Sequence, residues 1–387
     1  MALVELTSLS LTNYRSYRTA DLRLEPGLIV VHGDNAQGKS NLLEAAYLLA
    51  IGKSYRASAE RELVSWEAAE AGSYAMVVGT VLRADGQAEL RIGLDCAGAP
   101  PNGVQKRIRI NGLPRRASEL IGVLNAVLFS AEDIDLIFGP PSGRRRYLDI
   151  LVSQLGASMR GGRYVQALQR YQRVVTQRNH VLRALREGRA GEDELAYWDD
   201  SLCIEGASVL GARFDAIERL SPLSGDAFRR LEGGVSAMSL EYVSTTPSDG
   251  RPTAESIAVA LERSRSQERA MAMTVVGPHR DDLRVALGDI EMSKHASRGQ
   301  ARLAALSLRI AEAQLLRERT GESPMLLLDD VLSELDESRR ALVVEEASRY
   351  QQAIVSTADL SLLPRGGEEG TRRLRVQAGQ VLEGATA

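Results

Sequence analysis

The alternation of apolar and polar residues predicts strands in the first part of the chain. Residues 3–11 and 22–24 alternate between apolar and polar positions, whereas residues 28–32 form an apolar run that is typical of a buried strand. A turn and an amphipathic helix over about 39–50 follow it. Further strands are predicted over residues 73–82, 88–94, 106–110 and 126–129, with an Asn111-Gly112 hairpin turn and a Pro140-Pro141 break.

The middle of the chain follows a helical period instead. Apolar side chains recur at helical spacing over residues 165–185 and again over about 195–220, on either side of the glycine-rich segment 188–191. This order predicts a helical hairpin or a short antiparallel coiled coil. A helix pair inside a core would show the same spacing, but the many Arg and Glu residues favour a projecting arm.

The order of these stretches predicts the domain organisation. The α/β pattern returns near residue 275 and continues to about 375, and the last dozen residues are expected to be frayed. A chain of 387 residues is long enough for two domains or for one large domain with an insertion. We predict an α/β head, residues 1–155 and 272–387, interrupted by a helical arm, residues 156–271.

Composition and charge place the chain among ordinary globular proteins. Its hydrophobic content is 44% and its charged content is 26%. It has no run of eighteen apolar residues and no signal-peptide layout at its N-terminus, so we expect a cytoplasmic protein without a membrane partner. Cys96 and Cys203 are too few for a disulfide framework, and no Cys/His cluster indicates zinc. The net charge of −3 does not by itself indicate nucleic-acid binding.

The run after the continuous apolar strand matches GxxxxGK[ST], the P-loop of nucleotide-binding proteins. It lies between a predicted strand and a predicted helix, the context that the motif requires, and reads Gly33-Asp34-Asn35-Ala36-Gln37-Gly38-Lys39-Ser40. Its glycines let backbone N–H groups surround phosphates, and the helix N-terminus adds positive potential. Lys39 would reach the β- and γ-phosphates of ATP, and the Ser40 hydroxyl would bind Mg²⁺. Asn41 completes the predicted nucleotide-binding set.

A second apolar run ends in two carboxylates, which is the Walker B pattern. It reads Met325-Leu326-Leu327-Leu328-Asp329-Asp330. A buried parallel strand would deliver these acids to the crevice where the P-loop lies. Asp329 would then hold the metal, and Asp330 would orient or deprotonate the attacking water.

Three further segments fit an ABC-type ATPase. A predicted helix begins at Ser297-Arg298-Gly299-Gln300. In ABC-type ATPases the N-terminus of this helix is the signature motif, which binds the γ-phosphate held by the other protomer. In other proteins the same pattern is only an N-cap. Ser333-Glu334-Leu335-Asp336 resembles the D-loop, in which Asp336 lies along the dimer seam. A strand ends at Thr357, where these ATPases usually carry a switch histidine.

Together these motifs resemble the RecF family of bacterial recombination mediators, which is related to Rad50 and SMC heads. The resemblance covers nearly the whole chain, and the pair Asp329-Asp330 and Thr357 agree with it. The strings that carry it are Leu11-Thr12-Asn13-Tyr14-Arg15-Ser16-Tyr17, the P-loop, Leu128-Phe129-Ser130-Ala131-Glu132-Asp133, Arg145-Arg146-Tyr147-Leu148-Asp149, Gly277-Pro278-His279-Arg280-Asp281-Asp282, Ser297-Arg298-Gly299-Gln300 and Leu326–Asp336.

The resemblance implies a weak, DNA-stimulated ATPase that uses ATP and Mg²⁺. It implies an ATP-dependent homodimer on DNA, at junctions of single and double strands, with RecR and RecO as partners. These proteins place RecA on single-stranded gaps during DNA repair, replication and the SOS response. It also implies that Arg15 contacts the nucleotide phosphates and that Glu132 lies near the Q-loop, although Ala131 stands where the family has proline. His279 is left open between a functional role and a buried structural one.

Other classes of function fit less well. A transporter ATPase subunit is disfavoured by the helical insertion, the Asp-Asp pair and the absent switch histidine. An ATPase-nuclease of the OLD type would need a carboxylate cluster and extra length, and a helicase would need a second motor domain. Candidate DNA contacts are the basic residues Lys53, Arg56, Lys106 and Arg107, whose default interpretation is solvated surface.

Overall fold

The computed structural model describes residues 3–97, 103–156, 163–234, 237–246, 250–364 and 371–383. It divides into two compact units: residues 1–133 with 309–387, and residues 134–308. The predicted arm, residues 156–271, lies within the second unit. The domain boundaries that we proposed from the sequence stay a prediction.

Strands and helices alternate along the chain as follows. The first unit opens with β1 Val4–Tyr14, β2 Tyr17–Arg23, β3 Gly27–His32, α1 Lys39–Ile51, α2 Trp66–Glu70, β4 Tyr74–Arg83, β5 Gly86–Asp95, β6 Gln105–Ile110, β7 Leu113–Arg115, α3 Ala117–Leu120 and β8 Ala126–Ser130. The second unit contains α4 Asp135–Phe138, α5 Pro141–Leu155, α6 Arg163–Arg186, α7 Glu192–Glu232, β9 Met238–Val243, α8 Ala254–Met271, β10 Asp282–Leu287, β11 Ile290–Glu291 and α9 Met292–His295. Helix α10, Arg298–Thr320, leads back to the first unit, which ends with β12 Met325–Asp329, α11 Glu337–Ser348, β13 Gln352–Thr357, β14 Arg372–Gln377 and β15 Gln380–Glu383.

The first unit contains a sheet in the order β15-β14-β3-β13-β12-β8. All neighbouring pairs run parallel except β14 and β15. The strands β3, β8, β12 and β13 are buried almost throughout, without alternation, because parallel strands are covered on both faces. Their carboxyl ends therefore meet at one edge, where the P-loop follows β3 and the two acids end β12.

Helix α1 lies between this sheet and a second one in the first unit. The second sheet is antiparallel, in the order β2-β1-β4-β5-β6-β7, and its strands alternate between buried and more exposed residues. Almost every side chain of α1 is buried, since the helix contacts strands of both sheets. The predicted Asn111-Gly112 turn joins β6 to β7, and both residues have positive φ, as a tight hairpin turn requires.

The second unit contains the predicted helical hairpin and more. Helices α6 and α7 pack together across the turn at 187–191, but α7 extends to Glu232, beyond the predicted end near 220, and passes through Pro222. The predicted arm is not wholly helical, because its strand β9 pairs with β10. Pro141 occupies the first turn of α5, where the missing N–H costs nothing, so the Pro140-Pro141 pair starts a helix.

The C-terminal segment corrects the expectation of fraying. Strands β14 and β15 form a hairpin over residues 372–383, and β14 pairs in parallel with β3. These backbone hydrogen bonds hold residues 376–383 in a sheet, whereas the sequence predicted a frayed end. Residues 384–387 lie outside the described part of the chain. Among the described residues, no helix is long and apolar enough to cross a membrane.

Candidate nucleotide-binding site

The P-loop leaves β3 in a conformation that needs glycine at both ends. Gly33 has φ +148, and a Cβ there would lie 2.2 Å from the Val376 carbonyl oxygen. Gly38 has φ +117, and a Cβ there would lie 2.8 Å from the Ser16 hydroxyl. Side chains are strained at positive φ, and both contacts are too close for real Cβ atoms. The glycines of the motif are thus required by the loop itself.

The Lys39 ammonium folds back onto the P-loop. Its Nζ donates hydrogen bonds to the carbonyl oxygens of Gly33 at 2.7 Å and Asp34 at 2.8 Å. Burial lowers its pKa, and the nearby carboxylates of Asp330, Asp329 and Asp34 oppose that shift. The cation thus lies at the N-terminus of α1, where backbone N–H groups already favour an anion.

Three hydroxyl groups donate to the Asp329 carboxylate. Ser40 Oγ lies 2.7 Å from Oδ1, Ser356 Oγ lies 2.8 Å from Oδ1, and Tyr55 Oη lies 2.7 Å from Oδ2. Ser40 comes from the P-loop helix and Ser356 from the neighbouring strand β13. A carboxylate beside a hydroxyl is an oxygen-ligand pair that suits Mg²⁺, so the residues present fit this ion.

Asp330 follows Asp329 in a left-handed conformation, with φ 54 and ψ 25. Its N–H donates to Ser356 Oγ at 3.0 Å, so that Ser356 links the backbone of one acid to the carboxylate of the other. Burial raises the pKa of the Asp330 carboxyl, and the Lys39 ammonium opposes this shift. Asp330 and Lys39 therefore lie close enough to influence each other's charge.

Two hairpins brace the P-loop from outside. In the β1–β2 hairpin, Tyr17 Oη donates to the Gly38 carbonyl at 2.9 Å, and Asn41 Nδ2 donates to Ser16 Oγ at 3.0 Å. In the β14–β15 hairpin, the N–H of Gly379 donates to the Gln37 carbonyl at 3.1 Å. The C-terminal hairpin thus contributes directly to the shape of the loop.

Arg15 lies in the first of these hairpins, but its guanidinium is paired with protein groups. It makes a two-pronged contact with the Glu44 carboxylate, at 2.9 and 2.8 Å, and donates to the Glu62 carbonyl at 2.9 Å. Glu44 is fully buried on α1. A phosphate contact, as predicted for Arg15, would have to compete with this pair.

The predicted Q-loop and switch positions lie at the ends of β8 and β13. Glu132 is exposed in a short 3₁₀ turn, and the next residue, Asp133, pairs with Arg309 at 2.6 Å. Thr357 is buried, and its hydroxyl donates to the Asp359 carbonyl at 3.0 Å. Its hydroxyl is thus engaged in a local turn.

The predicted signature motif forms the N-terminus of α10. The N–H of Gln300 donates to Ser297 Oγ at 3.2 Å, and the N–H of Ser297 donates to Gln300 Oε1 at 2.9 Å. This reciprocal capping box leaves Ser297, Arg298 and Gly299 exposed. A Cβ at Gly299 would meet nothing closer than Ser297 Oγ at 3.9 Å, so the fold of this unit has no steric need for glycine there.

The predicted D-loop ends at a helix cap. Asp336 Oδ1 accepts the Arg339 N–H at 3.0 Å at the start of α11. This hydrogen bond, with others from Ser338 and the Arg339 side chain, lowers the pKa of Asp336. Asp336 is exposed.

The basic residues proposed for DNA divide into two kinds. Lys53 and Arg56 are exposed on the loop after α1. Lys106 is half-buried and pairs with Glu60 at 2.6 Å, while Arg107 is exposed, with Asp95 at 3.7 Å. Lys106 is therefore the least available of the four.

His279 is half-buried, and both of its ring nitrogens have a hydrogen-bond partner. Tyr171 Oη lies 2.6 Å from His279 Nδ1, and Nε2 lies 3.2 Å from the Thr274 carbonyl. A carbonyl can only accept, so Nε2 carries the proton and Nδ1 accepts from the tyrosine. Asp281, in the same motif, is buried among donors from Tyr242, Ser244 and Thr245. The geometry favours the buried structural interpretation of His279.

The neutral state of His279 predicts a pH dependence of stability. Burial, with the positive charges of Arg280, Arg145 and Arg178, lowers its pKa from 6.5 to about 4. The unfolded chain then binds more protons between these values, so stability is complete above pH 6.5 and is lost as the pH falls towards 4. We expect a loss of roughly 2 kcal/mol between pH 7 and pH 5.

Urea unfolding at several pH values tests this expectation. The variant His279→Gln can still donate to Thr274 but does not titrate, so its unfolding free energy should fall less than that of the wild type over the same range. Equal falls for the two proteins would show that His279 is not held neutral.

Several residues of the site were not found from the sequence. Ser356 and Glu44 lie on predicted elements, yet no motif marks them as partners of Asp329 and Arg15. Tyr55 lies in a loop without a regular pattern. Ser356 can be recognised as a partner of Asp329 only when β13 is known to lie beside β12.

The geometry defines the class of protein: a P-loop and a paired-acid strand at the carboxyl edge of a parallel sheet form the head of an ABC-type ATPase. The family model of the RecF/RecN/SMC N-terminal domain matches residues 5–377. The chain is 42% identical to the DNA replication and repair protein RecF of Roseiflexus castenholzii, over 97% of this chain and 99% of the relative. The chain belongs to the RecF family.

Solved structures agree with this assignment. A structure of the recombination mediator protein RecF with ATP, in the RecFOR pathway, has a TM-score of 0.88 and 30% identity and covers 99% of this chain and 98% of its own. The Smc head domain of Pyrococcus furiosus, bound to a ScpA domain, has a TM-score of 0.54 and 18% identity, with 99% and 97% covered. The second likeness concerns the fold alone. The predicted family and fold class are confirmed.

Proposed function

We propose that this chain is an ATP-dependent, DNA-binding recombination mediator whose protomers close head to head around ATP. The observation that carries the proposal is the hydrogen bond between Ser40 Oγ and Asp329 Oδ1, 2.7 Å long, because it brings the P-loop and the Walker B acid into one site. The exposed capping box at Ser297 supports the second half of the proposal. A helix N-terminus binds anions, and nothing within this unit requires glycine at position 299. The glycine therefore fits the approach of a phosphate held by a second protomer.

Within this proposal the predicted residues have distinct roles. Backbone N–H groups of the P-loop and Lys39 would bind the phosphates of ATP. Ser40 and Asp329 would hold Mg²⁺, and this ion would supply positive charge beside the phosphates. Asp330 orients or deprotonates the attacking water. Since catalysis is mainly positioning and charge stabilisation, the short side chain of Asp330 gives weak turnover.

The partners follow from the family. The solved RecF relative is named as a mediator in the RecFOR pathway, and RecR and RecO are therefore the partners that we propose here. ATP would close the dimer on DNA at a junction, and hydrolysis would open it, in support of RecA loading at single-stranded gaps. The exposed residues Lys53, Arg56 and Arg107 are the proposed DNA contacts.

DNA binding should depend on both ATP and salt. The net charge is −3, so phosphates can be bound only by a locally basic face, and that face is complete only in the dimer. Raising the salt from about 50 to 200 mM should weaken binding by about 10-fold or more. Fluorescence titration of a labelled duplex with a single-stranded extension measures both effects.

The variant Lys39→Ala is the control for the ATP effect. It should bind the labelled DNA equally weakly with and without ATP. If the wild type bound DNA with one affinity regardless of ATP and salt, the ATP-gated model would be wrong.

A further inference from the structure

The Asp329 carboxylate is held from two sides by unrelated parts of the first unit. The two serine hydroxyls, from Ser40 and Ser356, both donate to Oδ1. The hydroxyl of Tyr55 donates to the other oxygen, Oδ2, at 2.7 Å. The orientation of the carboxylate therefore depends on a residue that lies outside the P-loop, the Walker B strand and every motif found in the sequence.

The segment that carries Tyr55 is fixed in place. Helix α1 ends at Ile51, and the next residue, Gly52, has a φ of +74 that turns the chain. Ser54 Oγ then donates to the buried carboxylate of Glu44 and accepts the N–H of Ala57 at 2.8 Å. The ring of Tyr47 meets the Tyr55 ring edge to face, with centroids 5.8 Å apart. Both the backbone and the ring of Tyr55 are therefore set before any ligand binds.

We infer that Tyr55 is a positioning residue for the metal-binding acid, an inference that rests on the proposed function. Its hydroxyl fixes the carboxylate so that Oδ1 is directed to Ser40 Oγ, and these are the two oxygen atoms that would hold Mg²⁺. Groups that hydrogen-bond to a metal ligand hold its orientation, and losing one costs about 10- to 100-fold in metal affinity.

The variant Tyr55→Phe tests this inference, because it keeps the ring and its contact with Tyr47. The Mg²⁺ concentration that gives half-maximal formation of ATP-dependent dimers should rise by about 10-fold. Affinity for ATP in the presence of EDTA should stay within about twofold of the wild type, since the P-loop is unchanged. Binding of Mn²⁺ to the complex with a non-hydrolysable ATP analogue, followed by electron paramagnetic resonance, should weaken by the same factor.

The control is Tyr197→Phe, the same change on an exposed side chain of α7, which should leave both measurements as in the wild type. An unchanged Mg²⁺ requirement for Tyr55→Phe would overturn the inference. So would an equal loss of ATP affinity with and without metal together with a lower melting temperature, because that pattern indicates a structural role. If the wild type itself formed dimers without any need for Mg²⁺ or ATP, the proposed function would fail instead.

Discussion

Replacing Asp330 with asparagine should lower the rate of ATP hydrolysis by about 100-fold or more, the usual contribution of a general base. ATP-induced dimers should then persist much longer than those of the wild type and dissociate slowly from DNA. The change is mild for the fold, because Asp330 has φ 54 and asparagine is well tolerated in the left-handed region. The N–H that donates to Ser356 is also kept.

The measurement is the lifetime of dimers after ATP is added, by sedimentation or light scattering, alongside phosphate release. Asp85→Asn removes an exposed carboxylate of the same size, and it should leave both lifetime and turnover unchanged. Asp330→Asn dimers that decay as fast as those of the wild type would exclude Asp330 as the base.

The neighbouring acid should behave differently. Asp329 accepts a hydrogen bond from the Ser40 hydroxyl and is suited to bind a metal ion. Asp329→Asn should therefore weaken the Mg²⁺-dependent closure of the dimer instead of prolonging the closed state. Few dimers should form with ATP, and those that form should not be long-lived. Opposite dimer lifetimes for two adjacent Asp→Asn changes would separate metal binding from base catalysis.

The strands that build the site were predictable because burial imposes a simple pattern. Strands β3, β8 and β12 each contain a continuous run of four apolar residues, which is typical of a parallel sheet covered on both faces. The P-loop follows one of them and the paired acids end another, so both ends of the chain could be assigned to one site. The contact between Ser40 and Asp329, 289 residues apart, agrees with that reasoning.

The rest depends on contacts that leave no mark in the local sequence. Strand β14, at residues 372–377, has Arg at three of its six positions, yet it pairs with β3 because its alternate residues Leu374 and Val376 are buried. The hydroxyls of Tyr55 and Ser356 meet Asp329 through the tertiary fold alone. The pairing of Arg15 with Glu44 likewise follows from the packing of the β1–β2 hairpin on α1.

Ser297→Arg should abolish ATP-dependent dimer formation and hydrolysis while monomers still bind ATP. Ser297 is exposed at the N-terminus of α10, and its hydroxyl accepts the Gln300 N–H. In the proposed dimer this terminus faces the γ-phosphate held by the partner, so a bulky arginine would block the seam. The affinity of the monomer for a fluorescent ATP analogue should change by less than about twofold, whereas Lys39→Ala should lose most of it.

Loss of the helix cap needs its own control, since removing a capping Ser or Thr costs about 1 kcal/mol. Thr253 caps α8 through the same kind of reciprocal contact, with its hydroxyl accepting the Ser256 N–H. Thr253→Arg therefore removes a cap and adds the same cation away from the predicted seam. It should lower stability by a similar amount and leave dimers and turnover intact.

A second change at the same helix end distinguishes an effect on the stability of α10 from an effect on dimer formation. A methyl group at Gly299 would meet nothing closer than Ser297 Oγ at 3.9 Å, and alanine is favoured over glycine in helices by about 1 kcal/mol. Gly299→Ala should therefore raise the melting temperature slightly while weakening dimer formation, because the added methyl group lies where a phosphate must approach the backbone. Normal dimer formation and hydrolysis in both Ser297→Arg and Gly299→Ala would remove residues 297–300 from the nucleotide site.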